Sequence, residues 1–391
     1  MVRPVKRPAP LRTDGSNEFA RFSMQVRVPR IVRDVVERNR DYPAPVRRSL
    51  EQLARDIEGD APLPAPVLPA PDFDAWSEAH AEHAGESWLH AEWFHSELAV
   101  YREVAARCRF WETERDPFAP AKLEELQGDR VWTRLSAALD VQGTRQERVD
   151  LLLDECLWAN RVDLSYAVAA SAGRKDDDLI VDERARATEV LTRGGASVHL
   201  IADNTGAELA LDLALVDALL EDPACTVALH VKMQPVFVSD ALARDVWQLM
   251  DVMRGKGERG RQLEGRLRAA FEAGRLRLMP DPFWSGPRFL WEAPARIARA
   301  LAAATAVLLK GDANYRRLVG DAPWPAEQPF ADAAACVGTA VVCARTMKSD
   351  SVLGLAAGQS SELDRVDPRW RIDGRRGVIQ AFGTHPTHDL A

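Results

Sequence analysis

The fold is decided by 198-VHLIADNTGAELALDLALVDALL-220. This stretch begins with a short apolar run that ends at Asp203 and Asn204, and after one glycine it continues with the pattern of an amphipathic helix. The apolar positions of that pattern are Leu209, Leu213, Val216 and Leu220. A strand followed by a helix is the unit of open α/β sheets, which bind their ligands at the carboxyl ends of strands. We therefore expect the chemistry of this protein at Asp203 and Asn204.

The second half of the chain, residues 173–391, predicts an α/β domain. Short apolar or β-branched runs alternate there with helical patterns, which indicates a mostly parallel sheet with helices on both faces. The runs are 198–203, 226–232, 275–279, 306–310, 338–345 and, more weakly, 377–382. The helical patterns are 206–221, 240–254, 260–274, 293–304 and 312–320. We predict a three-layer α/β/α sandwich with a Rossmann-like sheet.

The first half predicts an all-helical domain over residues 19–172. Its helical patterns are 22–40, 46–60, 87–111, 120–142 and 144–171. A Pro-rich connector at 61–74 interrupts them, because proline cannot continue a helix or a strand for long. Residues 1–18 are rich in proline, arginine and polar residues, so we expect a flexible N-terminus on the surface.

Charge and composition narrow the classes of partner. The chain has 51 basic and 59 acidic residues, and its net charge of -8 disfavours nucleic acids and anionic membranes. Its five cysteines form no CxxC pair, which favours free thiols in a reducing compartment. No run approaches the roughly 20 apolar residues of a membrane span, and the first residues lack the apolar core of a signal peptide. We expect a soluble, cytoplasmic protein with a small-molecule ligand.

Four polar clusters lie at or just after predicted strands. Because the carboxyl ends of parallel strands share one edge of the sheet, we expect these clusters to meet there. They are Asp203 and Asn204 with Glu208, 237-FVSD-240, 309-LKGDANYR-316 and 343-CARTMK-348.

Asp203, Asn204 and Asp240 offer oxygen ligands without sulfur or imidazole. Such ligands suit magnesium, manganese or another divalent ion that keeps open water positions. Two carboxylates would cancel the charge of that ion, so a phosphate dianion bound beside it needs further positive charge. The candidates at the neighbouring strand ends are Lys310, Arg316, Arg345 and Lys348. Their positions favour a phosphorylated substrate.

A structural alternative exists for each of these ligands. Asp203 and Asp240 precede predicted helices and can act as helix N-caps, and Asn204 can be a turn residue.

These motifs resemble those of the damage-control phosphatase family (DUF89), in the acidic residue methyltransferase 1-like subgroup. The resemblance rests on DNTGAELALDLALVDALL, FVSD, LLKGDANYRRLVGD and RTMK, together with LWANRVDLS at 157–165 and EWFHSELAVYREV at 92–104. It runs from about residue 20 to residue 382 in the same order. The Pro-rich insert at 61–71 and 371-RIDGRRG-377 depart from it.

The resemblance implies metal-dependent hydrolysis of small sugar phosphates, with fructose 1-phosphate and fructose 6-phosphate as the usual substrates. It implies manganese, cobalt or nickel as the activating ion, and magnesium also suits the oxygen ligands. The implied metal ligands are Asp203, Asn204 and Asp240. The implied substrate contacts are Asp312, Asn314, Tyr315, Arg316, Arg345, Thr346 and Lys348, with Glu208 at the acidic position of the helix. Asn160 and Asp163 are further candidates at the rim.

A mechanism follows from these residues. The bound ion would polarise a phosphoryl oxygen and activate a water molecule, while Lys348 and Lys310 hold the other phosphoryl oxygens. Asp312 is either a base that orders the water or the N-cap of the helix at 312–320. Arg345 either contacts substrate or is a structural partner of Asp240 or Glu208.

Two other functions compete with this interpretation. A carboxyl methyltransferase that uses S-adenosylmethionine would need a Gly-rich turn after its first strand, and DNTGAE has a single glycine. A non-catalytic sugar-phosphate-binding protein would not need the complete set of metal ligands.

Overall fold

A computed structural model gives the structure of residues 6–159 and 178–383. Asn160 and Asp163 lie outside these residues. Within them, one sheet contains seven strands: β1 (Leu179–Asp182), β2 (Ser197–Ile201), β3 (Thr226–Val231), β4 (Leu276–Pro280), β5 (Ala306–Lys310), β6 (Ala340–Thr346) and β7 (Gly377–Phe382).

The strands lie in the order β1-β7-β6-β5-β2-β3-β4. Every neighbouring pair is parallel except β6 and β7, which pair antiparallel. After β2 the chain adds β3 and β4 on one side, and it then returns to place β5 on the other side of β2. The sheet therefore has a topological switch point between β2 and β5, where open α/β sheets bind ligands.

Helices cover both faces of the sheet. They are α10 (Arg184–Leu191), α11 (Ala207–Leu220), α12 (Ala243–Arg254) and α13 (Gly257–Glu272) on one face, and α14 (Ala295–Ala302), α15 (Gly311–Val319) and α16 (Ala331–Ala334) on the other. A further helix, α17 (Gln359–Val366), precedes β7. The predicted α/β class with a mostly parallel sheet is confirmed. The short strand β1 was not predicted, because its four residues follow three aspartates and resemble a linker.

The described part of the first half is helical, as predicted, while the end of the predicted helical pattern 144–171 lies outside the described residues. Its helices are α1 (Glu18–Phe22), α2 (Val28–Arg38), α3 (Ala44–Glu58), α4 (Phe73–Glu82), α5 (Trp93–Arg107), α6 (Phe110–Thr113), α7 (Ala119–Gln127), α8 (Asp129–Leu139) and α9 (Arg145–Ala159). One turn of π-helix, Ser23–Arg27, joins α1 to α2.

The hydrophobic cores divide the chain differently from the sequence patterns. A first core fills the space between the early helices and includes Leu50, Leu98 and Tyr101. Helices α8 and α9 instead pack on α11, and their apolar side chains join the core of the sheet. By packing, residues 129–159 thus belong with the α/β layers, although the sequence pattern placed them in the helical domain.

Packing on both sides explains the composition of α11. The helix lies between the sheet on one side and α8 and α9 on the other, so nearly all of its side chains are buried. A helix that is covered all round is apolar all round. Its expected polar face is therefore missing.

The expected flexible N-terminus needs correction for residues 6–18. Leu11 is buried, its amide donates to the Asp321 carbonyl at 2.8 Å, and its carbonyl accepts from the amide of Trp93 at 2.8 Å. Thr13 is also buried and donates to the Ala91 carbonyl. These bonds fix the segment across both halves of the molecule. In residues 6–159 and 178–383, no helix has both the length and the apolar character needed to cross a membrane.

Candidate active site

The backbone brings the predicted metal ligands together at the carboxyl ends of β2 and β3. Asn204 and Asp240 form an isolated antiparallel bridge. The amide of Ala241 donates to the Asp203 carbonyl at 2.8 Å, and the amide of Thr205 donates to the Ser239 carbonyl at 2.7 Å. Two segments that are distant in sequence are thus joined by main-chain hydrogen bonds at the carboxyl ends of β2 and β3, beside the switch point between β2 and β5.

Neither aspartate is a helix cap. The N-cap of α11 is Gly206, and the N-cap of α12 is Leu242. Asp203 and Asp240 instead line one cleft, together with Asn204. The Asn204 amide is fixed on both sides, because it accepts from Ser239 at 2.6 Å and donates to Asp203 and Glu208, each at 3.0 Å.

Two unusual backbone conformations lie beside Asp203 and Asp240. Gly311 has φ of +80°, and a Cβ atom there would lie 1.8 Å from Oδ2 of Asp203. The residues before Asp240 are strained, since Phe237 and Val238 have φ of +47° and +70°. Positive φ is rare for a β-branched residue, and such outliers concentrate at functional sites.

Asp203 lies in an unfavourable electrostatic environment for an anion. Burial raises its pKa well above the usual value, and the nearby carboxylates of Asp240 and Glu208 raise it further. Lys232 and Lys348 act in the opposite direction. Lys232 is itself buried, with its ammonium 3.2 Å from Asp240. A divalent cation between the two aspartates would relieve their mutual repulsion, so the residues present fit such an ion.

The ligand set is small. Within residues 6–159 and 178–383, no group of three His, Cys, Asp or Glu side chains is placed to hold a metal. The predicted metal ligands include only two acids, Asp203 and Asp240, and the third ligand is the amide oxygen of Asn204. It would leave several coordination positions for water and substrate.

Glu208 and Lys310 lie behind this cleft and do not line it. The Lys310 ammonium is fully buried and contacts Glu208 at 2.8 Å and Asp212 at 2.9 Å. Glu208 in turn accepts from Asn204. These residues thus form a charged network that supports Asn204 from the α11 side.

Asp312 does line the cleft, at the start of α15. Its carboxylate accepts from the Lys348 amide and the Ser349 hydroxyl, both at 3.2 Å, and pairs with Arg345 at 2.9 Å. The N-cap position of α15 is Lys310, so the cap role considered for Asp312 is not observed. Arg345 pairs with Asp312 and not with Asp240 or Glu208, the partners considered from the sequence.

The remaining residues of these motifs are buried around the cleft. Arg345 is 1% exposed, and its guanidinium lies 4.2 Å over the ring of Tyr315. Asn314 accepts from Lys232 at 3.3 Å and donates to the carbonyls of Ala202 and Lys310. Tyr315, Asn314 and Thr346 do not line the cleft, and Thr346 is fully buried at the end of β6.

The far wall of the cleft comes from the helical domain. Glu97 of α5 is buried and accepts from Arg27 at 2.5 Å and from Arg316 at 2.7 Å. Arg316 also forms two hydrogen bonds with Asp321 and lies 4.0 Å over the ring of Trp93.

Sequence reasoning missed several residues of this wall. The missed residues are Arg27, Trp93, Glu97 and Tyr101. The sequence did contain a signal for Trp93, Glu97 and Tyr101, because all three lie within EWFHSELAVYREV, one of the segments that resemble the family.

Charges in the cleft are nearly balanced before any ion binds. The charged side chains that line it are three cations, Arg27, Arg316 and Lys348, and four carboxylates, Glu97, Asp203, Asp240 and Asp312. Lys232 and Arg345 add two buried cations against these carboxylates, and Asp321 adds one carboxylate against Arg316. A divalent ion would add positive charge to this set, which suits an anionic ligand.

Comparison with known proteins identifies the family. The damage-control phosphatase ARMT1-like domain matches residues 23–363, which is most of the chain. The chain belongs to the damage-control phosphatase ARMT1-like family. It is 26% identical to damage-control phosphatase ARMT1 of Xenopus laevis, over 95% of this chain and 98% of the relative. It is 25% identical to the human protein of the same name, over 96% of this chain and 99% of the relative.

A solved structure shares the fold of this ARMT1-like chain. The DUF89 family protein of Pyrococcus horikoshii superposes with a TM-score of 0.51 at 12% identity, over 93% of this chain and 97% of that one. The ARMT1-like match spans both the helical domain and the cleft residues of the α/β layers. The family domain therefore includes both walls of the cleft.

Proposed function

We propose that this chain is a metal-dependent phosphatase that hydrolyses small phosphorylated metabolites. One observation carries the proposal: two acids and one amide meet at the carboxyl ends of β2 and β3, in a cleft that also contains Lys348, Arg27 and Arg316. The names of the relatives, damage-control phosphatases, support the same reaction. Sugar phosphates such as fructose 1-phosphate and fructose 6-phosphate are the proposed substrates.

Asp203, Asn204 and Asp240 would hold the divalent ion. Manganese, cobalt and nickel are the proposed ions, and magnesium also accepts this set of oxygen ligands. When bound, the ion supplies charge stabilisation at a phosphoryl oxygen and acidifies a water molecule.

Side chains of the protein would bind the phosphoryl oxygens and orient the attacking water molecule. Lys348 lies close enough to Asp203 to affect its titration, so its ammonium is placed to neutralise a phosphoryl oxygen beside the aspartates. The Asp312 carboxylate is held by three donors, and a fixed carboxylate can orient a water molecule and take its proton. Arg345 and Ser349 position Asp312.

The helical domain supplies the other end of the substrate site. Glu97 and Arg27 face the cleft beyond the phosphate position, where a carboxylate and a guanidinium can hydrogen-bond to the hydroxyls of a sugar. Glu208 and Lys310 act indirectly, because they hold Asn204 from behind. Asn314, Tyr315 and Thr346 shape the strand ends beneath the site.

Direct assay of the purified chain tests this proposal. Fructose 1-phosphate, fructose 6-phosphate and other phosphorylated metabolites are incubated with manganese, cobalt, nickel or magnesium, and phosphate release is measured. We expect release that a chelator abolishes and that Asp203→Ala lacks. Asp251→Asn, a change at an exposed carboxylate of α12, is the matched control and should retain full activity. If no metal supports release from any of these substrates, the proposal fails.

The phosphate assay, together with calorimetry, distinguishes the phosphatase from the two competing functions. A sugar-phosphate-binding protein would bind these ligands without releasing phosphate. A methyltransferase would bind S-adenosylmethionine, which calorimetry detects. The contacts at Gly206 disfavour that cofactor, because the Glu125 carboxylate fills the space beside this glycine and accepts from the Ala207 amide at 3.0 Å. The start of α11 therefore already has an anionic partner.

We also propose that the protein acts in the cytoplasm. All five cysteines are free thiols, and four of them are buried, as expected of a protein kept in reducing conditions.

A further inference from the structure

A second cavity lies on the helical side of the molecule, away from the cleft. Its volume is about 210 Å³, and it opens between α4, the start of α5 and the segment 287–292 that follows β4. Its lining includes Glu82, His83, Glu92, His95, Arg288 and Trp291. None of these residues lines the cleft that contains Asp203.

The one arginine of this lining is already neutralised. Arg288 forms two hydrogen bonds of 2.7 Å with Glu82, and a third of 3.3 Å with Glu292. The Glu92 carboxylate differs from these, because it forms no hydrogen bond or ion pair with any residue in the parts of the chain that the structure describes. Burial raises the pKa of Glu92 most, His83 and Arg12 nearby lower it, and the carboxylates of Glu86 and Glu292 raise it. Among the residues that line the cavity, the carboxylates of Glu82, Glu92 and Glu292 outnumber the one guanidinium of Arg288, which leaves an excess of negative charge.

His95 provides an independent indication of a ligand. It is 3% exposed and lines the cavity, yet its imidazole has no hydrogen-bond partner among residues 6–159 and 178–383. Its ring stacks on His83 at 3.9 Å, and burial lowers the pKa of His95 to about 3. The ring is therefore neutral, and one of its nitrogens is an unused hydrogen-bond acceptor.

We propose that this cavity binds the ammonium group of a small primary amine. The Glu92 carboxylate would neutralise its charge, and the imidazole of His95 would accept one of its hydrogen bonds. The rings of Phe289 and Trp291, which stack on each other at 4.9 Å, offer an aromatic wall for the adjoining methylene groups. An ammonium has three donors and no acceptor, which suits a lining of unpaired acceptors.

A metal ion fits this lining less well. The rings of His83 and His95 are tilted by only 32° in their stack, so their in-plane lone pairs do not converge on one point between them. His83 also uses its Nδ1 in a 2.7 Å contact with Glu86.

Calorimetric titration of the full chain with n-butylammonium chloride tests the proposal. We expect saturable binding, and Glu92→Gln should weaken it by at least about tenfold, because a hydrogen bond to a charged group contributes about 1.5–3 kcal/mol. Glu258→Gln, at an exposed glutamate of α13, is the matched control and should leave the affinity unchanged. Neutral 1-butanol should not bind.

Three outcomes would overturn the proposal: no saturable binding of n-butylammonium, equal affinity in Glu92→Gln and the parent chain, or saturable binding of zinc chloride alone. A folding defect is checked separately, because Glu92→Gln preserves the shape of the side chain and should leave phosphate release at the cleft unchanged. If the cavity proposal is wrong, the proposed phosphatase reaction is unaffected, since the two sites share no residue.

Discussion

The guanidinium of Arg316 donates to the carboxylate of Glu97 at 2.7 Å, and this contact joins α15 of the sheet to α5 of the helical domain. Both side chains are almost completely buried. Glu97 also accepts from Arg27, so its removal would leave two arginines without this partner. We expect Glu97→Gln to lower the free energy of unfolding by about 3 kcal/mol, because breaking a buried ion pair leaves an uncompensated charge. Urea denaturation measures this loss.

A surface ion pair provides the matched control. Arg33 and Glu58 are joined by hydrogen bonds of 2.6 and 2.7 Å, but both are well exposed. Glu58→Gln should therefore cost less than about 1 kcal/mol. Equal losses in the two variants would show that the Glu97 contact does not stabilise the junction between α5 and α15.

Replacement of Asp312 tests whether this residue acts as a general base or as a metal ligand. General-base catalysis typically contributes about 10² to 10⁴-fold, so Asp312→Asn should lower kcat by at least about 100-fold. The metal concentration for half-maximal activity should not change, because Asp312 is not among the proposed ligands. Ser349→Ala removes only one of the hydrogen bonds that hold Asp312 and should have a much smaller effect on kcat. A large shift in metal dependence with little change in kcat would instead place Asp312 on the ion.

Much of the α/β architecture was predictable from local patterns. Apolar runs and helical patterns gave six of the seven strands in the described residues, and the rule that ligands bind at strand ends indicated Asp203 and Asn204. Their meeting with Asp240 was expected from the same rule, because β2 and β3 are adjacent and parallel.

Side-chain direction was not predictable at the strand ends. Lys310 was expected at the cleft because it ends β5, but residues alternate between the two faces of a strand. Lys310 shares its face with Ala306 and Leu308, whose side chains lie in the core under α11. Its ammonium therefore contacts Asp212 and not the cleft.

Contacts between the two halves of the chain could not be predicted from the sequence patterns either. Which face of α5 meets the sheet depends on the packing of both halves, so the roles of Glu97 and Arg27 were not apparent. Lys232 was missed for a related reason. It directly follows β3 as an ordinary charged residue, and only the structure shows its 3.2 Å contact with Asp240.

Gly311 permits the placement of the Asp203 carboxylate, and this can be tested with alanine. Gly311→Ala introduces a Cβ where Oδ2 of Asp203 lies, at 1.8 Å. The carboxylate must move, so we expect loss of metal-dependent phosphate release as well as a backbone penalty of about 1–2 kcal/mol at this positive φ. Gly274→Ala is the control, because Gly274 has φ of +69° and no atom within 4 Å of a new Cβ. It should show the stability loss alone, and retained activity in Gly311→Ala would contradict the proposed role of Asp203.

His230 should make the folded state sensitive to acid. Burial lowers its pKa from 6.5 to about 3, and its Nδ1 accepts from the Trp284 indole at 3.1 Å. Between these two pH values the unfolded chain binds a proton at His230 that the folded chain does not. The stabilisation is therefore complete above about pH 6.5 and falls by up to about 1.4 kcal/mol per pH unit as the pH drops. His230→Asn keeps an acceptor for Trp284 but cannot titrate, so urea denaturation at several pH values should show a shallower loss by about that amount. Parallel pH dependences in the two proteins would mean that His230 is protonated in the folded state.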